Sequence, residues 1–174
     1  MTGNNTYTGA TTINSGTLAI GGNGSLSSSS QVNLAGAGAT FDVSGATTPQ
    51  TTGTLSGVAG STVNLGSNNL TLGGSGNGTY DGTIAGAGGS LTLAGTGTET
   101  LTGNNTYTGG TNLTGGGTLL AGNSSALGTG AVNTSGSGGT LGTSVAGTTL
   151  TNAINLGSGS TLTVGGANNL GLGG

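Results

Sequence analysis

Apolar residues along this chain come in pairs two positions apart: Leu18-x-Ile20, Val32-x-Leu34, Phe41-x-Val43, Val63-x-Leu65, Leu70-x-Leu72, Leu91-x-Leu93, Ile154-x-Leu156, Leu162-x-Val164 and Leu170-x-Leu172. Alternation with small or polar residues over so few positions is the pattern of short strands with one buried face. Between the pairs stand clusters such as Gly21-Gly22-Asn23-Gly24 and Gly73-Gly74-Ser75-Gly76, which supply positive φ and side-chain-to-backbone turns. Glycine and β-branched residues disfavour helix throughout. The pattern predicts an all-β chain of short strands and tight turns.

A longer period lies over the short one. Thr2-Gly3-Asn4-Asn5-Thr6-Tyr7-Thr8-Gly9 recurs unchanged as Thr102 to Gly109, 100 positions later. Val32-Asn33 with Gly36, Gly38 and Thr40 returns as Val132-Asn133 with Gly136, Gly138 and Thr140 at the same offset. Asn68-Asn69-Leu70-Thr71-Leu72-Gly73-Gly74 returns as Asn168-Asn169-Leu170-Gly171-Leu172-Gly173-Gly174. The chain reads as one segment, 1–174, made of two approximate copies, 1–100 and a shortened 101–174.

Glycine- and serine-rich sequence of low charge can be a flexible linker. A linker has no reason to place Leu, Ile and Val two apart, or to repeat an eight-residue word. A sandwich or barrel would also use short strands, but with distinct side chains in each. Repetition favours a solenoid, in which each coil buries its apolar face only against the next. Leu then stacks on Leu, Thr on Thr and Asn on Asn at about 4.8 Å. At that spacing like charges repel, which accounts for a chain with no Lys, Arg or His and only three acidic residues. A typical repeat of 20–25 residues predicts about eight coils.

The missing residue types also exclude function classes. Without His, Lys, Arg or Cys there is no Ser-His-Asp triad, no Schiff-base lysine, no thiolate nucleophile and no zinc site of Cys and His. Nucleic-acid binding, which neutralises phosphates with basic residues, is excluded on the same ground. No cofactor is expected. No apolar run approaches the roughly 18 residues of a membrane span, so this segment is not expected to enter a membrane. Met1 is followed at once by polar Thr2-Gly3-Asn4-Asn5, with neither basic start nor apolar run, so no signal peptide is read here.

Leu101-Thr102-Gly103-Asn104-Asn105-Thr106-Tyr107-Thr108-Gly109-Gly110-Thr111, continuing to Gly117-Thr118-Leu119, resembles the autotransporter-associated β-strand repeat, also called the passenger-associated transport repeat. Thr2 to Leu18 fits nearly as well, with Ala10 in place of one glycine. The resemblance implies a right-handed parallel β-helix, extracellular or on a bacterial cell surface, exported through a C-terminal β-barrel translocator in the full-length parent. It implies a structural passenger segment, a rigid stalk or display scaffold with an adhesive role open to it. An excised natural segment and an idealised design on the family's pattern both remain open.

Few residues invite a chemical role. Asp42, Asp81 and Glu99 are the only carboxylates, and they read as solvated turn or face residues rather than as a catalytic pair or a metal site. Tyr7 and Tyr107 hold equivalent places in the repeated word and read as coil-corner packing with the hydroxyl in water. The sequons Asn4-Asn5-Thr6 and Asn77-Gly78-Thr79 reflect the abundance of Asn and Thr. The words Thr6-Tyr7-Thr8, Thr98-Glu99-Thr100, Thr106-Tyr107-Thr108 and Thr161-Leu162-Thr163 raise an ice-binding reading, which needs such a word on almost every coil. Catalytic, cofactor and metal sites are therefore all expected to be absent, and the chain is not read as an enzyme. Unpaired strand edges at the two ends raise a further alternative: a fibre subunit that associates end to end.

Overall fold

The computed structural model describes residues 1–174 and contains strands, turns and no helix. Its twenty short strands wind into a parallel β-solenoid of three faces, with every strand pair parallel. Face one is an unbroken sheet of eight strands running from Thr11–Ile13 through Val32–Leu34, Leu55–Gly57, Gly78–Tyr80, Thr98–Leu101, Thr118–Ala121 and Gly139–Thr143 to Leu162–Val164. Each of the eight strands marks one coil. Partners are 20 residues apart at Thr98 and Thr118 and 23 apart at Val32 and Leu55. The predicted coil length and number both hold.

Face two starts with Thr17–Gly22, Thr40–Ala46, Thr62–Asn64 and Thr83–Ala85. It continues through irregular backbone, where Thr106 N donates to Ile84 O (2.9 Å) and Thr129 N to Tyr107 O (3.1 Å). It resumes as Thr149–Leu150 against Gly171–Leu172. Face three holds six strands, Gln50–Thr52, Asn69–Leu72, Ser90–Leu93, Thr111–Leu113, Val132–Thr134 and Ile154–Leu156.

Stacking in register turns each inward position into a column. Leu18, Phe41, Val63 and Ile84 line face two, and Leu72, Leu93 and Leu113 line face three. Phe41, Leu72 and their neighbours belong to a single cluster of 28 buried apolar residues that runs the length of the rod. Burying a leucine or valine side chain contributes about 1.5–3 kcal/mol, so a thin core still coheres when every coil adds its layer. Outward positions stack as well. Asn155 Nδ2 donates to Asn133 Oδ1 (2.9 Å), Asn133 Nδ2 to Asn112 Oδ1 (3.0 Å), and Asn112 Nδ2 to Thr92 Oγ1 (3.2 Å). Each amide bonds its counterpart one coil away, so the ladder closes without a charge.

The 100-residue period and the coil do not coincide. Val32–Leu34 lies on face one, whereas its copy Val132–Thr134 lies on face three, four coils and two faces further on. Likewise Thr17–Gly22 is on face two and its counterpart Thr118–Ala121 on face one. The second copy is thus wound one-third of a turn out of phase with the first.

One corner admits only glycine. A Cβ on Gly74 would lie 2.6 Å from the Gly53 carbonyl oxygen, and one on Gly95 would overlap the Gly74 carbonyl oxygen. A methyl group there must push the coils apart. Gly16 differs: its φ of +71° favours glycine, yet open space surrounds it. Gly95→Ala is expected to cost about 3 kcal/mol or more, lowering Tm by roughly 10 °C. Gly16→Ala should cost only about 1–2 kcal/mol, the left-handed penalty. Thermal melts followed by circular dichroism separate the two; equal losses would show that corner contact is not the determinant.

Candidate functional site

The three carboxylates lie in different coils. Asp42 faces outward on face two, where its Oδ1 accepts from Ser44 N (2.9 Å) and from Asn64 Nδ2 (3.1 Å). Asp81, at an exposed corner, accepts the Thr102 hydroxyl proton at 2.6 Å. Both are surface groups that tie one coil to the next, as the sequence reading expects. No group of three His, Cys, Asp or Glu residues gathers where it could hold a metal.

Glu99 corrects the expectation of a solvated carboxylate. Its flanking Thr98 and Thr100 point outward, so alternation turns Glu99 into the interior, where it is 2% exposed. It stands in a column with Gly78 before it and Leu119 after it. The missing side chain at Gly78 leaves the room: a Cβ there would run into both Glu99 carboxylate oxygens. Tyr80 uses the same device beside it, its ring lying over Gly57. Oε1 of Glu99 has no hydrogen-bond partner. Burial pushes its pKa up to about 8, offset only in part by a backbone hydrogen bond from Leu55. At neutral pH the group is thus mostly an uncharged acid inside an apolar column.

Of the two tyrosines of the repeated word, Tyr107 departs from the expectation of a hydroxyl in water and Tyr7 does not. Each hydroxyl bonds the threonine four residues on: Tyr7 to Thr11 at 2.8 Å and Tyr107 to Thr111 at 2.7 Å. Tyr7 lies in the first coil and stays 41% exposed. Tyr107 is stacked between coils and fully buried, with Gly128 against its ring, so its hydroxyl is not in water. Burial raises the Tyr107 pKa, with the Thr111 bond working the other way. Tyr80, buried among Ser61 and Thr83, is pushed up to about 12. None of the three faces a cavity with a second reactive group.

The sequon asparagines are occupied by coil-to-coil bonds: Asn4 Oδ1 accepts from the Ser25 hydroxyl and Asn77 Oδ1 from Thr98 N. The threonine words do not build a wide array. Thr98 stacks on Thr118, but Thr100 stacks on Leu120. Single columns result, Thr17–Thr40–Thr62–Thr83 on face two and Thr98–Thr118–Thr140–Thr163 on face one. The largest open groove follows the glycine corner and is lined by Ser29, Thr51, Thr71, Ser75 and Thr96, with no charged or aromatic side chain.

Folding takes up a proton at Glu99, because its pKa of about 8 in the fold exceeds the ordinary value of 4.5. Its stabilising contribution is complete below pH 4.5 and is lost as pH rises through 8. The full loss is of order 5 kcal/mol, at about 1.4 kcal/mol for each pH unit between those two values. Urea midpoints at pH 5 and pH 9 measure it, and Glu99→Gln should flatten the difference. A wild-type midpoint unchanged between these pH values would mean that the carboxyl is not held neutral. In the same assay Tyr107→Phe should cost about 1–2 kcal/mol, and Tyr7→Phe close to nothing.

The passenger-associated-transport-repeat family matches residues 1–20 and 91–121, just under a third of the chain. No curated protein and no solved structure matches it. The matched segments begin with the two copies of the Thr-Gly-Asn-Asn-Thr-Tyr-Thr-Gly word or the coil before it, and each closes on an apolar strand, Thr17–Gly22 or Thr118–Ala121. The two segments that match the passenger-associated-transport-repeat family, 1–20 and 91–121, are wound as coils of a parallel β-solenoid.

Proposed function

We propose that the chain is a non-catalytic spacer, a stiff stack of coils that holds attached passenger sequence clear of a bacterial cell surface. The observation that carries this reading is the unbroken eight-strand sheet of face one, backed along its length by one apolar cluster. Bending the rod would open inter-coil hydrogen bonds and strip layers from that cluster together. At about 4.8 Å per coil the stack is roughly 38 Å long. The family match supports an extracellular place, with export ahead of a C-terminal β-barrel translocator. The outer columns of Thr, Ser and Asn offer hydroxyls and amides without charge. Any adhesion through them is short-ranged and free of electrostatic steering.

A surface-anchored fusion carrying the chain between anchor and epitope tests the spacer reading against a Gly/Ser linker of equal length. The solenoid should hold the epitope in a narrow height distribution near 40 Å. The linker should give a broad one around about 70 Å. A broad distribution from the solenoid fusion would sink the proposal. Threonine columns one residue wide offer little to an ice lattice, so a thermal-hysteresis measurement is expected to show no effect on ice growth.

A further inference from the structure

The irregular stretch of face two leaves a pocket that no strand fills. It has a volume of about 350 Å³ and lies across three successive coils, between segments 104–106, 124–129 and 151–152. Its walls are held before anything enters. Asn105 is 3% exposed; its Oδ1 accepts from Ile84 N (2.7 Å) and its Nδ2 donates to Ala126 O. Asn123 fixes the lip, accepting from Ser125 N (2.7 Å) and donating to Thr102 O (2.6 Å). Asn152 reaches in from the third coil and is 5% exposed. Both protons of its amide are taken, by Gly128 O (3.1 Å) and Gly130 O (2.7 Å) of the coil before. Its Oδ1 accepts nothing from the protein. The coil that follows already covers it, since a Cβ on Gly174 would run into the Asn152 carbonyl. This acceptor therefore lies inside the rod, and a buried acceptor without a donor is costly until one reaches it.

The rest of the lining states what kind of donor. The hydroxyls of Thr106, Ser124, Thr129 and Thr151 and the Asn104 amide also line the pocket, and none makes a side-chain hydrogen bond within the fold. No lining residue is charged or apolar, so neither an ion nor a hydrophobic group finds its complement there. No carboxylate stands by to hold a hard cation. The complement is a neutral molecule dense in hydroxyls, one of which donates to Asn152 Oδ1. We infer that this pocket binds a sugar unit of a neutral glycan. Its volume is of the order that takes a small ligand. With no aromatic ring for the sugar to stack on, hydrogen bonds alone hold it, and binding falls in the millimolar range. The pocket occurs once along the rod. In the first copy of the repeat Asn4 Oδ1 accepts the Ser25 hydroxyl proton, a bond that Asn104 and Ser125 do not repeat. The position 100 before Asn152 is Thr52, a buried strand residue of face three. The inference does not rest on the spacer reading, which concerns the rod as a whole.

Nuclear magnetic resonance titration of the full chain with galactose, glucose and N-acetylglucosamine, one at a time, tests it. At least one of the three should give saturable shifts confined to the amides of 104–106, 124–129 and 151–152. Thr129→Val with Thr151→Val keeps the side-chain shape, removes two hydroxyls and should weaken that sugar by about tenfold or more. Both positions are exposed, so the β-type spectrum should persist. Ser124→Tyr, at the exposed lip, fills the mouth and should abolish the shifts, and it serves as the second variant if the pair disturbs folding. Thr96→Val, in the glycine-corner groove, should bind as the wild type does. Calcium chloride and inorganic phosphate should leave the pocket amides unshifted. No saturable shift with any of the three sugars would overturn the inference. So would shifts spread along the hydroxyl columns, binding unchanged by the pocket substitutions or lost with Thr96→Val, or occupation of the pocket by calcium or phosphate.

Discussion

Parallel strands of successive coils lie about 4.8 Å apart, and almost everything else in this molecule follows from that distance. A residue's nearest neighbour across the sheet is its counterpart some 20 to 24 positions along the chain. Only residues that tolerate such a neighbour can occupy a column. Leucine and valine gain from it, and asparagine gains by bonding amide to amide, as Asn112, Asn133 and Asn155 do. A charge of either sign would meet its own kind, which is why a surface this polar carries so few. At the glycine corner the limit is steric, for the Gly53 carbonyl leaves no space for a methyl group on Gly74.

The 100-residue repeat obeys the column rule without obeying the coil. Four coils and two faces separate a residue from its copy, so the copies share neighbours of similar type but sit on different sides of the rod. This works because the three faces are nearly interchangeable, each a column of inward apolar residues flanked by hydroxyls and amides. Small differences then come from stacking rather than from sequence. Tyr7 and Tyr107 make the same bond to the threonine four residues on, yet only Tyr107 has a coil on either side. A surface read by a partner on one face would be distributed around the rod by the same winding, which suits spacing better than a single localised site.

Glu99 is the place where the column rule is bent. A carboxyl enters the apolar interior because Gly78 leaves a gap one side chain deep, and it enters uncharged. Its unpartnered oxygen and the raised pKa make this coil depend on proton uptake. Nothing around it supplies a second reactive group or an opening to solvent, so the feature bears on stability rather than on chemistry.

Sequence alone determined the fold class, the coil length and the lack of His, Lys, Arg and Cys side chains, because alternation, repetition and missing residue types are local properties. The nine apolar pairs all mark inward strand positions or their immediate continuation, as at Leu65 and Leu170. The strands it did not announce carry other residues inward: Gln50 and Thr52, Gly78 and Tyr80, Glu99 and Leu101, Thr111 and Leu113. Alternation around Thr98-Glu99-Thr100 held the signal for Glu99, since outward threonines imply an inward residue between them. A carboxylate there still reads as solvated until its column partner is known to be glycine. The tertiary structure alone decided which residues share a column, and with that the burial of Glu99 and Tyr107, the one-third-turn offset between the copies and the single-file threonines. Each depends on coil register, and coils that vary between 20 and 24 residues place a given position against a neighbour no local pattern can name.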